Sequence, residues 1–305
     1  MNILHLKYAV EVEKTRSINK AAQNLYMGQP NLSRAIKDLE ESLGIVIFNR
    51  TTRGMFVTPQ GEEFLQHAKV ILNQIDEVES IYNQEKNIKQ KFSISVPRSG
   101  YISHAFSRFV RNVDATKPIE FFYRETNSAR AINNVLHMDY NLGIIRYADN
   151  HHKNFKKMMS DKGLVYEVLT KFTYNIAISK NHPLAEKEEI ELSDLDEFIE
   201  IAYADPFVPS MPFNEVKKEE LPNNIDKRIL VFERASSIDL LNTVHGTFLQ
   251  VYPDKIEIPD GQGIIQRPFK SNTRIYRDVL IYRNDYQLTP LDVQFLERLQ
   301  KMKNS

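Results

Sequence analysis

The sequence predicts two kinds of fold in one chain: a small, mainly helical head closed by a β-hairpin, and an α/β region of two subdomains behind a long amphipathic helix. Three observations carry this. Two short apolar stripes at helical spacing meet across a turn at Met27-Gly28. Apolar residues recur in a heptad rhythm from Phe64 onward, and beyond residue 91 strand-like and helix-like patterns alternate.

In the head, Ser17 is a candidate N-cap, and Ile18, Ala21, Ala22 and Leu25 follow at i, i+3, i+4, i+7, the buried stripe of a short helix. A second helix opens at Gly28-Gln29-Pro30, where an early proline loses no hydrogen bond. Leu32, Ile36, Leu39 and Leu43 line one face, and Gly44 supplies a left-handed stop. The opposite face carries Gln29, Asn31, Ser33, Arg34, Lys37 and Asp38. Gln and Asn can read adenine edges, Arg can read guanine, and Ser can serve bases or phosphates. The same face read alone is also that of an ordinary solvated helix.

A hairpin then alters the balance. Ile45 to Phe48 reads as a strand that returns through Met55-Phe56-Val57, with Arg50, Thr51 and Arg53 at a tight turn. Between Lys14 and Gly54 there are seven basic residues against three acidic ones, in a chain whose net charge is zero. Affinity for a polyanion must therefore come from this local cluster, with arginines placed to grip phosphates or enter a minor groove. The layout is that of a winged helix-turn-helix.

Leu4 to Gly61 resembles the DNA-binding domain of the LysR-type transcriptional regulators. The matching pieces are Ser17-Ile18-Asn19-Lys20-Ala21-Ala22, Gln29-Pro30-Asn31-Leu32-Ser33-Arg34, Leu39-Glu40 with Leu43-Gly44, Phe48-Asn49-Arg50, and Val57-Thr58-Pro59-Gln60-Gly61. Gly28 departs from the pattern, since the family usually has Ser or Thr there. The resemblance implies DNA contacts from Gln29, Pro30, Asn31, Ser33, Arg34, Lys37, Arg50, Thr51 and Arg53, and an interrupted palindromic site on double-stranded DNA.

Thr58 and Pro59 open a long helix whose apolar positions are Phe64, Ala68, Ile71, Ile75, Val78 and Tyr82, a heptad seam. Packing against the chain's own domain would give a similar stripe. The resemblance favours a dimerisation helix, hence a homodimer or homotetramer. The polar stretch from Glu85 to Lys91 reads as a hinge. The domains expected are 1–58 for DNA binding, 59–90 for the linker and hinge, and 91–305 for effector binding. Within the last, one lobe covers about 91–163 and 267–305, and the other about 164–266.

Strands are expected at 92–96, 119–123, 141–147, 165–169, 174–179, 198–202, 228–232, 248–251 and 276–282. Helices are expected from Tyr101 to about Val113, ending near Leu136, and from Thr289-Pro290 through Leu299. The β-α-β-α-β order argues for a parallel sheet covered by helices. The region from 92 onward resembles the family's effector-binding domain, a periplasmic-binding-protein-like fold of two Rossmann-like subdomains. Asp139 to Ile144, His182-Pro183-Leu184-Ala185 and Leu192-Ser193-Asp194-Leu195 carry that resemblance, while residues 203–227 match little.

In such a fold a ligand sits where strand ends meet helix N-termini. By position the resemblance points to Ser99, Gly100, Tyr101, Thr126, Asn127 and Ser128 in one lobe, and Ala202, Tyr203, His245, Gly246 and Thr247 in the other. Ser99 and Ser128 stand at expected helix starts, where N-capping is the commoner duty. Arg98, Arg146 and Arg234 lie near strand ends and could pair with a carboxylate effector, or simply be surface arginines.

Cysteine is absent, which excludes disulfides, thiolate metal sites and a thiol switch. His151-His152 reads as an isolated pair in a polar loop, and no nucleophile-elbow, metal-helix or phosphate-loop motif occurs. No enzyme activity, cofactor or metal is expected. No apolar run is long enough to span a membrane, and no signal-peptide core is seen. The expectation is a cytoplasmic bacterial transcription regulator that binds DNA, a small-molecule effector and, by resemblance, RNA polymerase. The alternative is an effector-independent or architectural DNA-binding protein.

Overall fold

The structure is a computed structural model that describes residues 2–51, 54–82, 89–137, 139–221, 227–253 and 263–304. It comprises two compact units, Met1–Ile88 and Lys89–Ser305.

The first unit runs α1 (Ile3–Thr15), α2 (Ile18–Asn24), α3 (Gln29–Leu43), β1 (Phe48–Thr51), β2 (Gly54–Val57) and α4 (Pro59–Tyr82). Its core joins Ala9 and Val12 of α1 to Ala21 and Ala22 of α2 and to Leu32, Ile36 and Leu39 of α3. The alanines at 21 and 22 are almost wholly buried and allow close helix approach. Asn2 caps α1 and Ser17 caps α2, each accepting a backbone N–H. The sequence reading did not resolve α1 as an element.

The wing begins later than expected. Residues 45–47 form a connector rather than a strand, because Ile47 is fully buried and its N–H, with that of Phe48, donates to the Glu40 carboxylate at 2.7 and 3.0 Å. Arg50 consequently stands in β1, paired across the hairpin with Met55, instead of at the turn. Arg53 lies outside the described residues.

Thr58 caps α4 by accepting the Gly61 N–H at 2.9 Å. A Cβ at Gly61 would sit 2.3 Å from the Ile47 carbonyl oxygen, so only glycine lets helix and connector touch there. The start of α4 belongs to its own domain's core: Leu65 and Ala68 are buried, and Lys69 pairs with Glu13 of α1 at 2.9 Å. Further along, Ile71 and Ile75 are half-buried and Val78 is 54% exposed. The side chain of Tyr82 and hinge residues 83–88 lie outside the described residues.

The second unit holds two five-stranded sheets. Its elements are β3 (Gln90–Val96), α5 (Gly100–Val110), β4 (Ile119–Glu125), α6 (Ser128–Leu136), β5 (Leu142–Ala148), α7 (His152–Asp161), β6 (Leu164–Phe172), β7 (Asn175–Ser179), β8 (Ile199–Tyr203), α8 (Phe213–Glu220), β9 (Arg228–Val231), α9 (Arg234–Thr243), β10 (Thr247–Val251), β11 (Ile264–Arg267), β12 (Tyr276–Arg283) and α10 (Pro290–Asn304). The order is β4-β3-β5-β12-β6 in the first sheet and β11-β7-β10-β8-β9 in the second. The parallel core expected from β-α-β-α-β is present as β4, β3 and β5, with β12 antiparallel beside it. In the second sheet β8, β9 and β10 are parallel and β7 antiparallel.

One boundary needs correction. The second lobe was expected to begin near residue 164, but β6 pairs with β12 along its length and belongs to the first sheet. His151-His152 is no loop pair either: His151 is buried in a short 3-10 turn that leads into α7, 3.1 Å from Glu219.

The segment after β8 crosses from the second lobe to the first. Val208 and Val216 of α8 enter the core of Ala131, Ile132, Val135 and Phe155, and Phe207 meets Phe155 edge-on. Burial of these apolar side chains holds the strap on the first lobe. Among the described residues no helix is long and apolar enough to cross a membrane.

Candidate nucleic-acid interface and interlobe cavity

The polar face of α3 emerges as its stripe demands. With Leu32, Ile36 and Leu39 buried, Pro30, Asn31, Arg34 and Lys37 are exposed, and Gln29 and Ser33 are half-buried beside them. Gly28 precedes the helix in extended conformation with no side-chain cap, so the first N–H groups lack the hydroxyl that Ser or Thr would offer. Gln29 takes the first helical position and Pro30 the second. Arg50 Nη2 donates to Ser33 Oγ at 2.6 Å, which fixes the wing's arginine against α3. Thr51 is exposed, and its hydroxyl donates to the Gly54 carbonyl at 3.2 Å. At the turn between α2 and α3, Tyr26 is 98% exposed with a left-handed φ of 52°. Sequence reasoning missed it, since nothing in the pattern marks a left-handed tyrosine.

In the second unit a cavity of about 450 Å³ lies between the two sheets. Its wall collects the C-terminal ends of parallel strands from both lobes: Pro97 to Tyr101 after β3, Thr126 to Ser128 after β4, Ala202 and Tyr203 of β8, and Gln250 to Tyr252 of β10. Nine of the expected ligand residues line it: Ser99, Gly100, Tyr101, Thr126, Asn127, Ser128, Arg146, Ala202 and Tyr203.

His245, Gly246 and Thr247 do not. They stand at the start of β10, whereas the cavity opens at its far end. The Thr247 hydroxyl donates to backbone carbonyls of Leu240 and Val244, and Gly246 faces the Phe198 ring.

Neither serine acts as a helix cap. Ser99 accepts from Arg146 Nη2 at 3.1 Å. Ser128 donates to the Arg146 carbonyl at 2.7 Å and accepts the Arg146 N–H at 3.1 Å, while Asn127 caps α6. Arg146 is thus the organising residue of the first lobe's wall. Its Nε and Nη2 form a double hydrogen bond with Asp278, 2.7 Å each, and its guanidinium lies over the rings of Phe172 and Tyr174. Tyr101 donates to the same carboxylate at 2.5 Å, and burial pushes its hydroxyl pKa well up. Burial likewise raises Tyr174 to about 12, so both hydroxyls stay protonated at neutral pH.

Of the three arginines that could have been surface residues, Arg98 and Arg146 are enclosed, and Arg234, 30% exposed, is held at the cleft. The Arg98 side chain is 7% exposed and holds Asp205 of the opposite lobe at 2.9 and 3.2 Å. Arg234 holds Glu125 across the cleft at 2.9 and 3.0 Å and also donates to Ser103. Asn127 donates to Asp205 as well. Near the strap, Arg274 and Tyr276 donate to Glu220, whose carboxyl pKa burial raises despite the neighbouring guanidinium. Asp205, Asp278 and Glu220 carried no motif signal, because their partners lie far away in sequence.

The model of the bacterial regulatory helix-turn-helix of the LysR family matches residues 3–62. The first unit thus carries a helix-turn-helix of LysR type.

Among curated relatives, the chain is 30% identical over 200 residues to the transcriptional regulator AlsR of Bacillus subtilis, covering 64% of this chain and 62% of that one. It is 37% identical over 94 residues to the regulator BenM of Acinetobacter baylyi, 31% of each chain. The matched stretches therefore span less than two thirds of these LysR relatives. A full-length OxyR variant from Pseudomonas aeruginosa superposes with a TM-score of 0.64 at 14% identity, covering 98% of this chain and 95% of that one, a likeness of fold.

Proposed function

We propose that this chain is a sequence-specific, DNA-binding transcription regulator of LysR type. The observation that carries the reading is the exposed row Pro30, Asn31, Arg34 and Lys37 on the first turns of α3, flanked by Arg50 bonded to Ser33. Donor and acceptor side chains at a helix start fit a major groove, and an arginine on the adjoining wing fits the phosphate line. Gln29, Asn31, Ser33 and Arg34 read bases, and Lys37, Arg50, Thr51 and Arg53 hold the backbone. Paired α4 helices of a dimer, with a tetramer as the larger assembly, set two heads at a fixed spacing over an interrupted palindrome. The interlobe cavity takes a small molecule, and its occupancy alters how the heads are presented to DNA and RNA polymerase in the cytoplasm.

The test is binding to DNA fragments selected from a random pool. Arg34→Ala should cost about 1–3 kcal/mol and relax preference at one base position. An unchanged preference removes Arg34 from the base-reading set, and selected sites without two-fold symmetry overturn the dimeric reading.

A further inference from the structure

We propose that the interlobe cavity selects an uncharged, aromatic-sized ligand and excludes carboxylates. This rests on the reading of that cavity as a small-molecule site. Every guanidinium on the wall already has a carboxylate of its own: Arg98 has Asp205, Arg146 has Asp278 and Arg234 has Glu125. The wall's own acids are matched in turn. Glu200 is held by Arg228 at 2.6 Å and by Gln250 at 3.0 Å, and Glu220 by Arg274 at 2.8 Å. The wall has no lysine among the described residues.

Among the described residues an incoming anion would therefore meet no arginine or lysine without a carboxylate partner. It would have to lose its hydration in a buried site or displace an internal carboxylate, and either is costly. Displacing Asp205 would also break its bonds to Arg98 and Asn127, which join the lobes. A ligand cation faces the converse difficulty, because each wall carboxylate is already paired.

The remaining wall suits a neutral ring. Tyr101 and Tyr252 lie 4.1 Å apart between centroids, Tyr174 and Tyr276 4.4 Å, and Tyr203 faces the Arg98 guanidinium. Arg98 Nε is buried without an acceptor among the described residues, an N–H suited to a ligand carbonyl or hydroxyl oxygen. Such a bond adds no charge.

Benzamide, benzoate and benzamidinium share a ring and a size and carry charges of 0, −1 and +1. Calorimetric titration of each into the full chain at neutral pH tests the proposal. Benzamide should bind at least tenfold more tightly than either ion. Equal or tighter binding of benzoate or benzamidinium overturns the neutral selection and leaves the small-molecule reading of the cavity standing. Failure of all three at tens of millimolar overturns both. Asp205→Asn strips Arg98 of its carboxylate and should raise benzoate affinity at least tenfold. An unchanged benzoate affinity in a folded variant overturns the role given to the pairing. If that variant does not fold, Glu125→Gln makes the same test at Arg234.

Discussion

Arg50 Nη2 and Ser33 Oγ lie 2.6 Å apart, so the wing and the polar face of α3 are one surface rather than two. Both residues are at the rim of the head, and their bond alone contributes little stability. Arg50→Ala should leave the thermal midpoint nearly unchanged, weaken DNA binding, and lower the slope of log K against log salt by about 1 if the guanidinium reaches a phosphate. Ser33→Ala combined with Arg50→Ala should be non-additive by roughly 0.5–1 kcal/mol, measured by fluorescence anisotropy on selected DNA. Additive losses would mean that the bond does not shape the bound surface.

Gly61 offers a steric test of the head. Gly61→Ala places a methyl group against the backbone of Ile47, not against a side chain that can turn away. Destabilisation of about 1–3 kcal/mol is expected in urea denaturation of the full chain, followed by a probe in the head. A midpoint equal to wild type would show that the connector gives way freely.

At the cavity wall, Asp278→Ala leaves Arg146 buried without its carboxylate and should destabilise the second unit by about 3–5 kcal/mol. The double replacement Arg146→Met with Asp278→Leu should cost less than either single change, because no charge is stranded. A larger loss in the double variant would show that the pair stabilises the fold beyond its own compensation.

His182 supplies a pH prediction. Its Nδ1 accepts the Leu184 N–H at 3.0 Å, and burial, with a smaller contribution from His245, lowers its pKa. The unfolded chain therefore binds the proton more readily than the folded one, so stability falls as pH drops through the unfolded value near about 6.5. His182→Asn keeps an acceptor and should flatten this slope in thermal melts between roughly pH 7.5 and 5.5. An identical slope would assign the pH dependence to other groups, of which His152, also lowered by burial, is the first to examine.

Much of the architecture was legible because the pattern was local. The stripes of α2 and α3 and the left-handed Gly44 follow from short-range rules, and the strand ends expected at 96, 123 and 202 fall within two residues of those observed at 96, 125 and 203. What escaped was set at long range. The apolar run from Ile45 to Ile47 resembles a strand until Glu40 takes its N–H groups. Short helix α8 carries one buried valine among charges, too weak a stripe to detect. In β10 the strand was found but the wrong end was assigned to the cavity, which parallel pairing with β8 decides. Ser99 and Ser128, expected at helix starts, line the cavity as hydrogen-bond partners of Arg146, a long-range pairing that no local pattern marks.

The strap has a consequence for how this protein can be altered. Val208 and Val216 are encoded within the second lobe yet complete the hydrophobic interior of the first. A chimera that exchanges the second lobe for that of another regulator at the sheet boundaries would remove part of its neighbour's interior, so the lobes are not interchangeable modules. Any transplant must carry residues 207–221 together with the first lobe that houses them.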